Sequence, residues 1–206
     1  MGHEMGNTRE EKRADLLKRL IDAAEAEIIE HGLAGLKARA VTTRAGCALG
    51  ALYNAVQDLD MLVLHVNSRT LNNLGTELRI ALPPKAAPVD TMQALASAYA
   101  DFATRNRNLW IALFEHRLPP GVDAPDWHKK DHAVLIEVLL PTLGKLRPDL
   151  DKDALILRAR TTFAAVHGVV LLSLQGRFVG VPADVLKSEI AALVTAMTRG
   201  LQATPE

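Results

Sequence analysis

Apolar residues recur at helical spacing along almost the whole chain. Leu17, Leu20, Ile21, Ala24 and Ile28 form one stripe with charges on the opposite face, and Gly32 follows as a C-terminal cap. Short helices fit Ala38–Ala45 and Leu49–Asn54, with Gly46 between them. Asp58 stands before Leu59, Leu62, Val63 and Val66, a good N-cap for a longer helix to about Leu82. Pro83, Pro84 and Pro88 then stop that helix and mark a linker. Beyond it, Met92–Arg105 and Asn108–His116 read as helices, and Pro119, Pro120, Gly121 and Pro125 make a rigid loop. Asp126 can cap a helix through about Leu140, with Pro141 near its end and Pro148 in the next gap. Two long apolar helices, roughly Lys152–Arg177 and Ala183–Leu201, are split by Gly180-Val-Pro182. No segment alternates as a strand would. The pattern predicts an all-α protein of about nine helices.

The stretch from Leu36 to Asn54 carries the most chemistry. It reads as two short helices joined by a glycine turn, the layout of a helix-turn-helix whose second helix lies against a DNA groove. Gly46 sits where the chain turns sharply, a position that often needs a positive φ. Val41, Ala45, Leu49 and Leu52 suit the contact between the two helices. Arg39, Thr43, Arg44, Gly50, Tyr53 and Asn54 are left for a ligand surface. Gly50 permits close backbone approach, Tyr53 can donate to a phosphate, and Asn54 can meet a phosphate or a base edge. With Lys37 and Leu49 added, these are the candidate DNA-binding residues. Spacing alone leaves a plain turn in a helical bundle open as the alternative.

Charge changes the picture only locally. Lys plus Arg equals Asp plus Glu at 24 each, so global electrostatics offer no argument for nucleic acid. Residues 1–62 hold 8 basic and 10 acidic side chains, a net of −2. No acid, however, stands between His31 and Asp58, where Lys37, Arg39 and Arg44 lie. The 49% hydrophobic fraction is ample for a core, with few aromatics in it. The lone Cys47 rules out an internal disulfide framework and fits a reducing cytoplasm. The polar segment from Met1 to Lys12 lacks the apolar run of a signal peptide. No uncharged apolar run reaches transmembrane length, and Val169–Leu174 reads as core helix. The expected location is the cytoplasm.

Several pieces resemble the DNA-binding head of the TetR family of bacterial repressors: Ala23-Ala24 through His31-Gly32, Arg44-Ala-Gly-Cys, and Leu49-Gly-Ala-Leu-Tyr53-Asn54. Asp58-Leu-Asp60-Met-Leu62 stands where that family begins its fourth helix, so the likeness covers about residues 13–66. The chain departs from the pattern at four places. Lys37 and Ala48 replace the usual Ser or Thr at the starts of the second and third helices. Val56 replaces an aromatic, and Leu59 replaces a phosphate-contacting Lys. Fewer phosphate contacts imply a shallower salt dependence and more weight on Lys37, Arg39 and Arg44.

The resemblance implies a helix-turn-helix DNA-binding domain over 1–57 and an effector-binding and dimerisation domain over 58–206. Ala165, Val169, Leu172 and Gly176, with Ile190, Leu193, Val194 and Met197, can build a four-helix interface between two copies. Asn67-Ser-Arg-Thr-Leu71, Leu109-Trp110 through Leu118, and Val166-His167-Gly168-Val-Val are similar to a TetR subgroup whose ligand domain is called WHG-type, with Phe163 where a Trp is usual. Phe102, Trp110, Phe114, Phe163 and His167 are therefore the candidate ligand-binding residues, with Tyr99 and Trp127 weaker.

These implications add up to a homodimeric repressor that binds double-stranded operator DNA and responds to a small-molecule effector. It would have no catalytic residue, metal or cofactor, and no membrane partner. Two alternatives stand beside it. One is a helical ligand-binding protein with little DNA binding, given Ala48 and Leu59. The other is a metal-dependent hydrolase using His128 and His132, which sit at i and i+4. Against the latter, Lys129 occupies the place of a general base, and no phosphate loop or nucleophile elbow occurs.

Overall fold

The computed structural model describes residues 2–176 and 179–198. Among them are ten α-helices, one 3-10 turn (Leu33–Gly35) and no strand. The helices are α1 (Gly2–His31), α2 (Ala38–Ala45), α3 (Leu49–Val56), α4 (Leu59–Ile80), α5 (Pro88–Arg105), α6 (Arg107–Glu115), α7 (Asp126–Glu137), α8 (Leu140–Leu146), α9 (Lys152–Leu174) and α10 (Leu186–Thr198). The all-α expectation is borne out. The expected ends of the last two helices, at Arg177 and Leu201, lie outside the described residues.

Local chemistry explains most boundaries. Gly32 and Gly46 both adopt positive φ, 68° and 66°, after α1 and α2. The Asp58 carboxylate accepts from the Met61 amide at 2.7 Å and so caps α4. Asp151 caps α9 in the same way, accepting from Ala154 at 2.8 Å. Two prolines act differently from expectation. Pro88 begins α5 instead of lying in the linker, and Pro141 sits in the first turn of α8, a separate helix of seven residues. Proline lacks only a donor that the first turn leaves unpaired anyway, so it starts helices as readily as it stops them.

The chain forms two compact units, one from residues 1–70 with 106–129, the other from 71–105 with 130–206. In the first, Leu20, Ala24, Ile28, Val41, Leu52, Leu62 and Val66 make a core that also takes in Leu109 and Ala112 of α6. Polar ties reinforce it. Arg69 of α4 donates to Asp22 (2.7 Å) and Glu25 (2.8 Å) of α1. Asn108 of α6 donates to the Ile29 carbonyl at 2.8 Å, and His116 meets the Asp60 carboxylate at 3.0 Å.

In the second unit α5 packs against α8, α9 and α10. Ala159, Thr162, Val166 and Val170 face inward from α9, and Leu186, Ile190, Val194 and Thr198 from α10. Ile190 and Val194, expected on an interface between copies, are each 1% exposed and are spent on packing within the unit. Leu157 and Leu172 of α9 instead stand outward, 65% and 38% exposed. Helix α9 is also long and apolar enough to cross a membrane by length and composition, with Arg158 and Arg160 interrupting its apolar run. Only 22% of its most apolar stretch is buried. Most of the rest is half-buried, with Leu157, Ala164 and Leu172 as its exposed apolar residues.

Candidate nucleic-acid interface and ligand cavity

The arrangement of α2 and α3 follows from one backbone feature. Gly46 is left-handed (φ 66°, ψ 44°), and its amide reaches back to the Thr42 and Thr43 carbonyls, ending α2 within one residue. A side chain there would strain that turn. Arg19 of α1 adds a donor to the Ala45 carbonyl at 2.6 Å, satisfying another group at the end of α2. The chain then reverses through Cys47, whose amide donates to Thr42 at 3.0 Å, and enters α3 at Leu49.

Helix α3 divides its residues sharply. Leu52 and Val56 are buried against α1 and α2, whereas Gly50, Tyr53 and Asn54 face solvent. Leu49 is 37% exposed and Tyr53 46% exposed, so Leu49 belongs more to the outer face than to the contact between helices. A Cβ on Gly50 would meet nothing within 4 Å. Nothing inside this chain therefore asks for glycine there, although glycine costs an exposed helix about 1 kcal/mol relative to alanine. The N-caps of α2 and α3 are Lys37 and Ala48, and neither side chain makes a capping bond. No cap side chain thus serves the first amides of either helix, although in α3 the Ala51 amide donates to the Ala48 carbonyl at 2.9 Å.

The three cations of this segment fare differently. Lys37 and Arg39 are exposed. Arg44 is exposed too, but its guanidinium forks onto α1: Nη1 and Nη2 reach the two Glu30 oxygens at 2.8 and 2.7 Å, and Nε reaches Glu27 at 2.9 Å. These hydrogen bonds, from Glu30 and then Glu27, raise the Arg44 pKa and lower that of Glu30. Sequence reasoning missed the clamp, since Glu27 and Glu30 stand 17 and 14 residues before Arg44 and carry no local signal. Thr43 points outward beside Arg39. Lys37, Arg39, Thr43, Leu49, Gly50, Tyr53 and Asn54 thus share an outward disposition on α2, α3 and the residue before α2, and Arg44 is held back among carboxylates.

The second unit contains a cavity with about 410 Å³ of empty space, part of it open solvent at the mouth. Its wall comes from α4, α5, α7, α9 and α10. A concave, mostly apolar wall of this kind is the usual setting for a small-molecule site. Of the expected ligand-binding residues, Phe163 lies in this wall. His167 stands beside it, stacked on Phe163 at 5.8 Å between ring centroids and bonded through Nδ1 to the Tyr99 hydroxyl at 2.8 Å. Phe102 is buried in the same unit but is not in the wall. Trp110 and Phe114 belong to the first unit, where their rings meet edge to face at 5.3 Å. Tyr99, the weaker expectation, does line the cavity, and aliphatic residues make most of the rest.

His128 is buried and holds Ser68 Oγ at 2.8 Å through Nδ1. Among the described residues, the one cluster of three or more groups able to gather on a metal ion is Glu27, Glu30 and His31, two of which hold Arg44. Within that same set of residues, neither His128 nor His132 has the third ligand that a catalytic zinc site needs.

A short glycine-turned helix pair with one face outside the packing, in an all-helical chain, has the layout of a helix-turn-helix. The profile of the family described as "Tetracyclin repressor-like, C-terminal domain" matches residues 92–197, just over half the chain. The chain belongs to the TetR family, whose members are transcriptional regulators and not enzymes. It is 24% identical over 179 residues to an uncharacterized HTH-type transcriptional regulator of Mycobacterium tuberculosis, covering 86% of this chain and 78% of that one. The structure is similar to that of a TetR transcriptional regulator from Rhodococcus sp. RHA1, with 18% identity and a TM-score of 0.68 over 94% of this chain and 100% of the other. It is also similar to RolR, solved in complex with resorcinol, with 21% identity and a TM-score of 0.66 over 94% and 92% of the two chains.

Proposed function

We propose that this regulator is a homodimeric repressor that reads operator DNA with the outer face of α3 and is released by a small molecule held in the cavity of the second unit. The observation that carries the DNA-reading assignment is Gly50, exposed in the first turn of α3 with open space where a side chain would stand. Such a residue weakens the helix and suits a partner that approaches the backbone closely. Around it, Leu49, Tyr53 and Asn54 would meet the groove, and Lys37, Arg39 and Thr43 the flanking phosphates. Arg44 supports this surface by locking α2 onto α1 through Glu27 and Glu30.

We assign DNA reading to residues 1–57 and effector binding with dimerisation to 58–206. The exposed Leu157, Ala164 and Leu172 of α9 support pairing with a second copy. The exposed Ala192 and Ala196 of α10 allow close approach of a second helix. The resorcinol bound by RolR supports a small organic effector. Helix α4 carries both Asp60, bonded to His116, and Leu78, in the cavity wall, so an effector that shifts α4 would reach the DNA-binding part along one continuous helix. Regulation of this kind acts in the cytoplasm.

A genome-wide footprint of the bound DNA, followed by titration of the purified chain on the recovered fragment, tests this reading. Salt-sensitive binding at a paired half-site, abolished in Gly50→Leu, is the expected result. Binding that ignores salt and this substitution would refute the DNA-reading assignment and favour a ligand-binding protein with little DNA affinity.

A further inference from the structure

The cavity wall restricts what can occupy it. Of its twelve lining residues nine are aliphatic or Met, and none is an Asp, Glu, Lys, Arg or His. Three carry a ring or a hydroxyl: Phe163, Tyr99 and Thr162. The Thr162 hydroxyl donates to the Arg158 carbonyl at 2.9 Å, so its proton is committed to its own helix. Tyr99 is paired with His167 at 2.8 Å, and both rings also pack against Phe163.

Resting on the reading of this cavity as the effector site, we propose that the effector is an uncharged, mainly apolar molecule with one hydroxyl or carbonyl group received by Tyr99, with His167 positioning the Tyr99 hydroxyl from behind. Two physical arguments carry this. An ion in this cavity would lose its water with no opposite charge in the wall to replace it, and such burial is heavily penalised. A neutral molecule faces no such barrier. The Tyr99–His167 pair, in turn, works in either direction. With the proton on Nδ1, His167 donates to the Tyr99 oxygen and directs the phenolic O–H toward an acceptor such as a carbonyl. With Nδ1 bare, it accepts the phenolic proton, and the Tyr99 oxygen accepts from a hydroxyl. Burial lowers the His167 pKa, favouring the neutral ring that the second arrangement requires.

A charge series on one carbon skeleton tests the proposal. Binding of 1-naphthol, 1-naphthoate and 1-naphthylmethylammonium to the full chain is measured by calorimetry near neutral pH, with folding checked by circular dichroism. The neutral probe should bind at least about tenfold more tightly than either ion. Tyr99→Phe and His167→Phe should each weaken 1-naphthol by roughly fivefold, and together by little more than either alone, because they remove one shared interaction. Ala96→Leu, or Val166→Ile if the first does not fold, should weaken every probe that binds by filling the cavity. If 1-naphthoate binds as tightly as 1-naphthol and remains sensitive to cavity filling, the neutral-ligand proposal is overturned and the effector-site reading stands. If cavity filling leaves all binding unchanged, or no probe binds, the effector-site reading falls and takes the proposal with it. A preference for 1-naphthol that both ring substitutions leave intact removes the Tyr99–His167 assignment.

Discussion

The outer face of α3 and the wall of the cavity, the two surfaces proposed to bind, stand in opposite relations to the fold. On α3, Leu52 and Val56 carry the packing, and Leu49, Gly50, Tyr53 and Asn54 lie outside it. In the cavity, Met92, Leu95, Tyr99, Val166 and Val194 are wall and core at once, none more than 5% exposed. A surface outside the packing can change what it recognises at little cost in stability. A wall made of core residues cannot, because each substitution also alters the packing.

Four substitutions or conditions break or sharpen that contrast. The largest effect belongs to the wall: Leu95→Ala should lower unfolding free energy by about 2–5 kcal/mol in a urea titration. A decrease well under about 1 kcal/mol would mean that the wall is separable from the core after all. Next comes the hinge of the DNA-binding part, where Gly46→Ala places a side chain at positive φ and should cost about 1–2 kcal/mol. Smaller, and opposite in sign, is Gly50→Ala. Open space and regular helix should make it more stable by up to about 1 kcal/mol while DNA affinity falls. Stability and affinity falling together would show that the face is not independent of the fold.

The smallest effect is a pH dependence. Burial depresses the pKa values of His65, His132 and His167 from an ordinary 6.5. Each binds fewer protons folded than unfolded, so their contribution to stability is complete above about pH 6.5 and declines as the pH falls below it. Thermal melts across about pH 7 to 5 should show this decline, and His167→Phe should flatten it.

Features set by neighbours in sequence were legible before the structure. Gly46 announces its turn, Asp58 its cap, and α2 runs over Ala38–Ala45 as the spacing predicts. Features built from distant residues were not. Arg44 reads as a free cation in a stretch without acids, and only the packing of α2 on α1 brings Glu27 and Glu30 to it. Aromatic residues, being large and conspicuous, stand out in the sequence as candidates for a ligand site. Trp110 and Phe114 proved to belong to the other unit, and the wall is mostly aliphatic residues from five helices. Proline was ambiguous for a different reason: Pro88 and Pro141 begin helices where a break was equally consistent with the sequence.

In the proposed reading, α2 and α3 would meet DNA through their exposed outer face and not through the clamped arginine. The most direct measurement is the dependence of affinity on salt for the footprinted promoter fragment, compared among Lys37→Ala, Arg39→Ala and Arg44→Ala. Removing one side chain that neutralises a phosphate should make the log–log slope shallower by about one. That change is expected for Lys37→Ala and Arg39→Ala, whereas Arg44→Ala should leave the slope unchanged and lower stability. Slopes indifferent to the first two substitutions, or reduced as much by the third, would contradict that reading.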